Sequence, residues 1–340
     1  MLDKKSPVTI RDVARRAGVG VGTVSRVLND SPSVSPATRE KVRAAISELD
    51  YRPNPSARRL SLGKTLTIAV IAPFFTRPSV VERLRGIESV LADTEYDLVV
   101  YNVESGNRYE TYFQERVRQE RVDGLVVISL RVPEAHVQRL LESDAPTILV
   151  DISHPDFSRV IIDDVDGGYK ATQHLLDLGH RRVGFLSDYS DSTFHFTANR
   201  DRYAGYIQAL KAGNIEPRPE YTVHGEHSRE SAYELASQLL SLDEPPTAIF
   251  ATSDTLATGV LEAADEHGLS VPDDLSVIGY DDIEMAEYLN LTTIRQQLFE
   301  SGVRGGELLL EAIASPPDEP RCILLPTELV VRATTAPPPA

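Results

Sequence analysis

From residue 66 onward, short apolar runs alternate with stretches whose apolar positions recur every three or four residues. The runs Thr67–Ala72, Asp97–Tyr101, Gly124–Ser129, Thr147–Val150, Arg182–Ser187, Thr247–Ala251 and Ser276–Gly279 read as strands. Helical spacing predicts helices near 79–92, 108–120, 134–142, 167–178, 201–212, 229–242, 255–267 and 297–313. Strands separated by such helices imply βαβ units and mostly parallel sheets. Residues 66–332 exceed what one doubly wound core ordinarily holds, so two subdomains are expected. Ligands of such folds sit at the carboxyl ends of strands. Here those ends are Pro73-Phe74-Phe75, Asp151, Ser187-Asp188-Tyr189, Ser253-Asp254 and Tyr280-Asp281-Asp282.

The first sixty or so residues have another texture. Thr9 suits the N-cap of a helix running to Ala17, which Gly18 punctuates. A second helix is predicted from Gly20 to Leu28, ended by Asn29-Asp30-Ser31-Pro32. Ser35 as N-cap and Pro36 at the first helical position open a third, with Val42, Ala45, Ile46 and Leu49 on one face. Two helices around a tight glycine turn, backed by a third, match a helix-turn-helix, taken as residues 1–53. Tyr51-Arg52-Pro53-Asn54-Pro55 is a stiff break, followed within 54–65 by a short basic helix candidate, Ser56–Leu60, and a linker. The small, Pro-rich end, residues 333–340, is expected to be disordered.

Composition narrows the classes. Of 340 residues, 41% are hydrophobic and 25% charged, the balance of a globular protein with sizeable cores. No apolar stretch approaches the ~18 residues of a membrane span. Met1-Leu2-Asp3-Lys4-Lys5 leads into Thr9-Ile10-Arg11-Asp12 without an apolar signal core, so a cytoplasmic location is expected. Cys322 alone excludes an internal disulfide and a cysteine metal cluster. The net charge of −16 divides into +6 over residues 1–63 and −22 over the rest. A basic head on an acidic body predicts that only the head meets a polyanion.

Thr9-Ile10-Arg11-Asp12-Val13-Ala14, Gly18-Val19 and Thr23-Val24-Ser25-Arg26-Val27-Leu28-Asn29 resemble the LacI/GalR family of transcriptional regulators. The resemblance continues through Val34-Ser35, Thr38-Arg39-Glu40-Lys41-Val42 and Tyr51-Arg52-Pro53-Asn54. Further on, Leu178-Gly179-His180-Arg181-Arg182, Gly279-Tyr280-Asp281-Asp282 and Thr292-Thr293-Ile294-Arg295-Gln296 carry it to about residue 332. It implies a dimeric operator-binding repressor with a periplasmic-binding-protein-like core. It also implies subdomains of about 66–162 with 295–322, and about 163–292 with 326–332.

In a helix-turn-helix the start of the second helix faces base edges. Those residues are Gly20, Val21, Gly22 and Thr23, with Arg26 a turn later. Val21 offers methyl contact to thymine, and Arg26 suits a bidentate contact to guanine. Thr9, Ser25, Asn29 and Thr38 suit phosphate oxygens. The resemblance makes Pro55–Leu60 a hinge helix with an apolar wedge, Leu60, for a minor groove; Arg58 and Arg59 suit that groove's negative potential, Ala57 leaves room for hinge–hinge approach, and Asn54 is a further DNA-contact candidate. Six residues do not hold a helix alone, so ordering is expected only when two copies pack together. Two-fold symmetry implies a pseudo-palindromic double-stranded operator.

For an effector, Arg202 matches the family's ligand-binding arginine and Asp281 the carboxylate that meets ligand hydroxyls. Phe74, Phe75, Asp151, His227 and Ser253 are supporting candidates by position. Ser79-Val80, Ser253 and His227 depart from the common family pattern, which leaves the ligand's identity open. A sugar effector is the reading, with a carbohydrate-utilisation repressor as the function. A protein corepressor, a purine-like ligand, or a solute-binding protein without DNA function are the alternatives. No Gly-x-Ser-x-Gly elbow, His-Glu-x-x-His or phosphate loop is present, so an enzyme, a cofactor or a metal site is not expected. The Asp163-Asp164-Val165-Asp166 cluster reads as a solvated turn and helix cap.

Overall fold

The computed structural model describes residues 8–28, 30–51, 65–104, 109, 122–188 and 196–339. The chain divides into two units, Met1–Thr65 and Leu66–Ala340.

In the first unit, α1 (Ile10–Ala17), α2 (Val21–Leu28) and α3 (Pro36–Glu48) close around Val13, Val24, Val27, Val42 and Ala45. The Thr9 hydroxyl donates to the Asp12 carboxylate at 2.7 Å and its backbone N–H does so at 3.0 Å, fixing the start of α1. Gly18 takes a left-handed φ of 68°, which a glycine adopts without strain and which turns the chain into α2. Ser35 caps α3 by accepting from the Thr38 N–H, with Pro36 in the first turn.

The second unit holds two six-stranded sheets of the same winding. The first has the order β11-β5-β4-β3-β1-β2, from β1 (Thr67–Pro73), β2 (Asp97–Val103), β3 (Gly124–Ile128), β4 (Thr147–Val150), β5 (Ser158–Ile162) and β11 (Cys322–Leu325). The second has the order β12-β10-β9-β8-β6-β7, from β6 (Val183–Asp188), β7 (Thr222–Gly225), β8 (Ala248–Ala251), β9 (Ser276–Asp281), β10 (Thr292–Arg295) and β12 (Glu328–Val330). Among the described residues, all pairings are parallel except β10 with β12. Helices α4 (Pro78–Leu91), α5 (Glu134–Leu141), α6 (Asp164–Asp177), α7 (Ala198–Ala212), α8 (Arg229–Leu240), α9 (Asp254–Glu266), α10 (Glu284–Tyr288) and α11 (Leu298–Ala314) complete the described part of this unit.

Among the described residues, the chain passes between subdomains three times, at Asp163, at Gln296-Gln297 and at Pro326-Thr327. Polar contacts lace these passages together. Thr327 donates its hydroxyl to Asp166 at 2.8 Å, Lys170 Nζ donates to the Thr327 carbonyl at 2.8 Å, and Gln297 donates to the Pro326 carbonyl at 3.1 Å. In each subdomain two helices cross with backbones in contact. A Cβ on Gly86 of α4 would lie 2.1 Å from the Phe299 carbonyl of α11, and one on Gly168 of α6 would lie 2.2 Å from the Arg202 carbonyl of α7.

Several expectations need correction. Residues 333–339 are not disordered: the Val277 N–H donates to the Thr334 carbonyl at 2.7 Å, and His180 Nε2 contacts the Ala336 carbonyl at 2.8 Å. Small and proline side chains let this strip lie flat beside β9, where its backbone satisfies groups that would otherwise be buried without partners. The helix expected from 167 begins at Asp164, capped by the Asp163 carboxylate on the Asp166 N–H, and Asp164 is buried rather than solvated. Strands β5, β7, β10 and β11 were not distinguished from their surroundings, being runs of four or five residues at or near sheet edges. The predicted helices 108–120 and Ser56–Leu60 lie outside the described residues, apart from Tyr109.

Candidate functional site

In the head, α2 is divided between two environments. Val24 and Val27 are buried, while Val21 is 42% exposed and Gly20, Gly22 and Arg26 face outward. A Cβ on Gly20 or Gly22 would meet nothing within 4 Å, so internal packing does not require glycine at either position. Arg26 has no ion-pair partner among the described residues, whereas Arg39 and Arg43 both reach Asp30. Thr9 and Thr38 spend their hydroxyls on the Asp12 and Ser35 side chains. The candidate DNA contacts Asn29, Asn54, Ala57, Arg58 and Leu60 lie outside the described residues.

In the core, a cleft opens where the carboxyl ends of both sheets face each other. One wall presents Arg77, Ser79, Arg83, Ser129 and Asp151, with Phe196 packed against that side; the other presents Asp188, Arg202, His227, Ser253 and Asp281. Ser129 and Asp151 follow the ends of β3 and β4, and Asp188, Ser253 and Asp281 end or follow β6, β8 and β9. The winding of parallel strands therefore puts all five at one mouth.

A chain of hydrogen bonds runs through the cleft floor. The Ser129 hydroxyl donates to Asp151 at 2.5 Å, and Asp151 pairs with Arg83 at 2.9 Å. Arg83 also donates to the Gln296 side-chain carbonyl at 2.9 Å, and Gln296 in turn donates its amide to Asp281. Arg202 lies 4.0 Å from Asp281, donates to Asp164 at 2.8 Å and to the Thr252 carbonyl at 2.6 Å, and stacks 3.7 Å above the Tyr280 ring. Burial pushes Asp281 up to about 6, against the pull of Arg202 and Arg83. Burial opposes the charge of Arg202, yet Asp164 beside it holds its pKa above the ordinary value. His227 is pushed down to about 3 by burial and by Arg77 and Arg202, so it is neutral, and its Nε2 meets the Ser253 hydroxyl at 3.2 Å.

Of the sequence candidates, Asp151, Arg202, His227, Ser253 and Asp281 come together in this cleft. Phe74 and Phe75 do not line it. Phe74 has a left-handed φ of 43° at the end of β1 and its ring lies beneath Arg77, while Phe75 points outward, 43% exposed. Sequence reasoning missed Arg77, Arg83 and Gln296. The spacing of Arg83 three residues before Gly86, which Arg202 repeats before Gly205, was the available signal.

A helix-turn-helix head and a two-subdomain core with polar groups converging between its sheets define a DNA-binding transcriptional regulator with a small-molecule effector site. The profile of bacterial regulatory proteins of the lacI family matches residues 9–54, and that of a periplasmic binding protein-like domain matches residues 172–335. Catabolite control protein A of Priestia megaterium is 34% identical, covering 96% of this chain and 99% of its own. The HTH-type transcriptional repressor PurR of Vibrio campbellii is 36% identical over 96% of this chain and 98% of its own. Among solved structures, the lac repressor dimer bound to operator and the anti-inducer ONPF superposes with a TM-score of 0.86 at 31% identity, covering 97% of this chain and 100% of that one. The CelR–cellobiose complex superposes with a TM-score of 0.71 at 32% identity, covering 96% and 99%. The chain belongs to the LacI family of bacterial regulatory proteins. These relatives are transcriptional regulators, not enzymes. Among the described residues, no helix is long and apolar enough to cross a membrane, and no cluster of His, Cys, Asp or Glu suits a metal ion.

Proposed function

We propose that this regulator is a cytoplasmic homodimeric repressor of carbohydrate-utilisation genes, with a sugar-like effector in the inter-subdomain cleft that changes its affinity for a pseudo-palindromic operator. The observation that carries the sugar reading is the balance of the cleft: guanidinium groups and carboxylates alternate from wall to wall, each already paired or nearly so. Such a surface offers donors and acceptors without a net charge to attract an anion, which suits a ligand dense in hydroxyls. Phe196 is the one Phe or Tyr among the described lining residues, too little for a two-sided stack on a planar base. The complexes of the lac repressor with operator and of CelR with cellobiose support the same assignment by similarity.

The Arg83–Gln296–Asp281 connection spans the subdomains, so a ligand that engages it shifts their relative orientation. Coupling of this kind is reciprocal and worth about 1–3 kcal/mol. The test is thermal unfolding of the full chain with a panel of saccharides, sugar phosphates and nucleobases. A ligand at 100 times its dissociation constant adds ~2.7 kcal/mol of stability. A shift with a sugar that also alters operator affinity is the expected result; a shift with nucleobases alone overturns the carbohydrate reading.

A further inference from the structure

Among the described residues, seven buried side-chain nitrogen or oxygen atoms lack a hydrogen-bond partner, and three of them belong to residues lining the cleft: Arg83 Nε, Asp188 Oδ1 and Thr252 Oγ1. Buried polar groups are otherwise almost always satisfied. Asp188 ends β6 and is 9% exposed. Its other oxygen faces Arg77 of the opposite wall at 3.9 Å, a loose pair that spans the cleft. Arg77 is held in place by Phe74, whose ring centroid lies 4.3 Å from the guanidinium. Burial pushes the Asp188 carboxyl up, while Arg77 and Arg202 pull it back toward the ionised form.

These orphan atoms differ in chemistry. Asp188 Oδ1 needs a donor, Arg83 Nε needs an acceptor, and the Thr252 hydroxyl takes either. A sugar hydroxyl donates and accepts at once. A phosphate ester, ionised at neutral pH, accepts strongly but brings negative charge toward the Asp188 carboxylate. Arg77 does not rescue it, because Asp188 already balances its charge.

We propose that Asp188, seated against Arg77, is a specificity-determining residue that admits a neutral sugar and rejects its phosphate ester. The inference rests on the sugar reading above and goes further by assigning the residue that sets the ligand's charge.

The experiment is isothermal titration calorimetry of the full-length protein. The probes are glucose, galactose, ribose, maltose and cellobiose, with glucose 6-phosphate, galactose 6-phosphate and ribose 5-phosphate as anionic counterparts. The expected result is binding of a neutral sugar with its ester at least tenfold weaker. Asp188→Asn then weakens the neutral sugar by about tenfold or more, the loss typical of a charge-assisted hydrogen bond, and narrows the gap to the ester. Asp188→Glu keeps the charge and so keeps the rejection of the ester, which separates charge from folding. Unfolding midpoints without sugar report whether each variant is folded. If a sugar binds and neither variant changes its affinity or the gap, this inference falls while the sugar reading stands. Tighter binding of an ester also overturns it. If no probe binds, both fall together.

Discussion

Arg83 and Gln296 meet at 2.9 Å where the two subdomains join, the guanidinium of the first donating to the side-chain carbonyl of the second. Both are nearly inaccessible, at 2% and 1% exposure. Gln296 sits in the passage from β10 to α11 and its amide donates to Asp281, so one uncharged side chain links a cation of the first subdomain to an anion of the second. An amide is suited to this because it donates and accepts in one plane without adding a charge that would need its own counter-ion.

Replacing Gln296 by Leu, which keeps the approximate bulk, removes both contacts. Arg83 and Asp281 each lose a buried partner, and a destabilisation of about 1–3 kcal/mol is expected. Urea unfolding monitored by circular dichroism measures it. A variant as stable as the wild type shows that the linkage carries no weight.

Arg202→Ala is expected to destabilise the core by about 3–5 kcal/mol, because Asp164 is left buried and uncompensated. Arg202→Lys does not restore it, since an ammonium cannot reach Asp164 and the Thr252 carbonyl while stacking on Tyr280. The family resemblance assigns Arg202 to the effector; the packing gives it a structural task as well. Denaturant midpoints of the two variants distinguish these roles, because a purely ligand-binding arginine leaves both unchanged.

His227 and Asp281 give opposite pH signatures. The folded pKa of His227 is about 3, below its ordinary 6.5, so its contribution is complete above pH 6.5 and is lost as the pH falls toward 3. Asp281 is raised from 3.8 to about 6, so its contribution is complete below 3.8 and is lost as the pH rises through 6. His227→Asn removes the first of these contributions. Relative to wild type, the variant is expected to gain up to about 1.4 kcal/mol per pH unit on acidification below pH 6.5. Parallel stability curves for the two proteins, from urea midpoints between pH 4 and 8, contradict the assignment.

Ending the chain at Arg332 removes the Thr334 bonds to Val277 and the Ala336 contacts with His180 and Ser276. Several net hydrogen bonds at about 0.5–1.5 kcal/mol each are lost, and His180, 1% exposed in the full chain, loses its carbonyl partner. A lowered unfolding midpoint is the expected outcome. An unchanged midpoint means that the strip is an ornament of the fold.

In the head, Arg26→Ala is expected to weaken operator binding by roughly 1–3 kcal/mol while leaving the head folded, since its guanidinium holds no described ion pair. Gel-shift titration against operator variants reads both affinity and the position at which specificity relaxes. A uniform loss across all variants points to phosphate contact instead.

The two-sheet core was legible in the sequence because parallel strands buried on both faces read as continuous apolar runs, as Gly124–Ile128 and Ala248–Ala251 do. The helix-turn-helix was legible because its caps and turn are local: Thr9 with Asp12, Gly18, and Ser35 with Pro36 lie within a few residues of what they control. Arg202 and Asp281 were legible through family resemblance, and the cleft that joins them follows from strand winding.

What tertiary structure alone decided is long-range. Whether Phe74 faces the cleft depends on one positive φ at the end of β1, and nothing in Pro73-Phe74-Phe75 specifies it. Whether residues 333–339 are ordered depends on β9 offering unpaired backbone and on His180 lying beneath them, more than 150 positions away in the chain. Arg83 and Gln296 are 213 residues apart, and no local pattern marks either as the other's partner. Hydrophobic periodicity is a local signal because it reflects which side of one element faces the core. A buried polar contact is settled only when two walls close and each donor must find its acceptor.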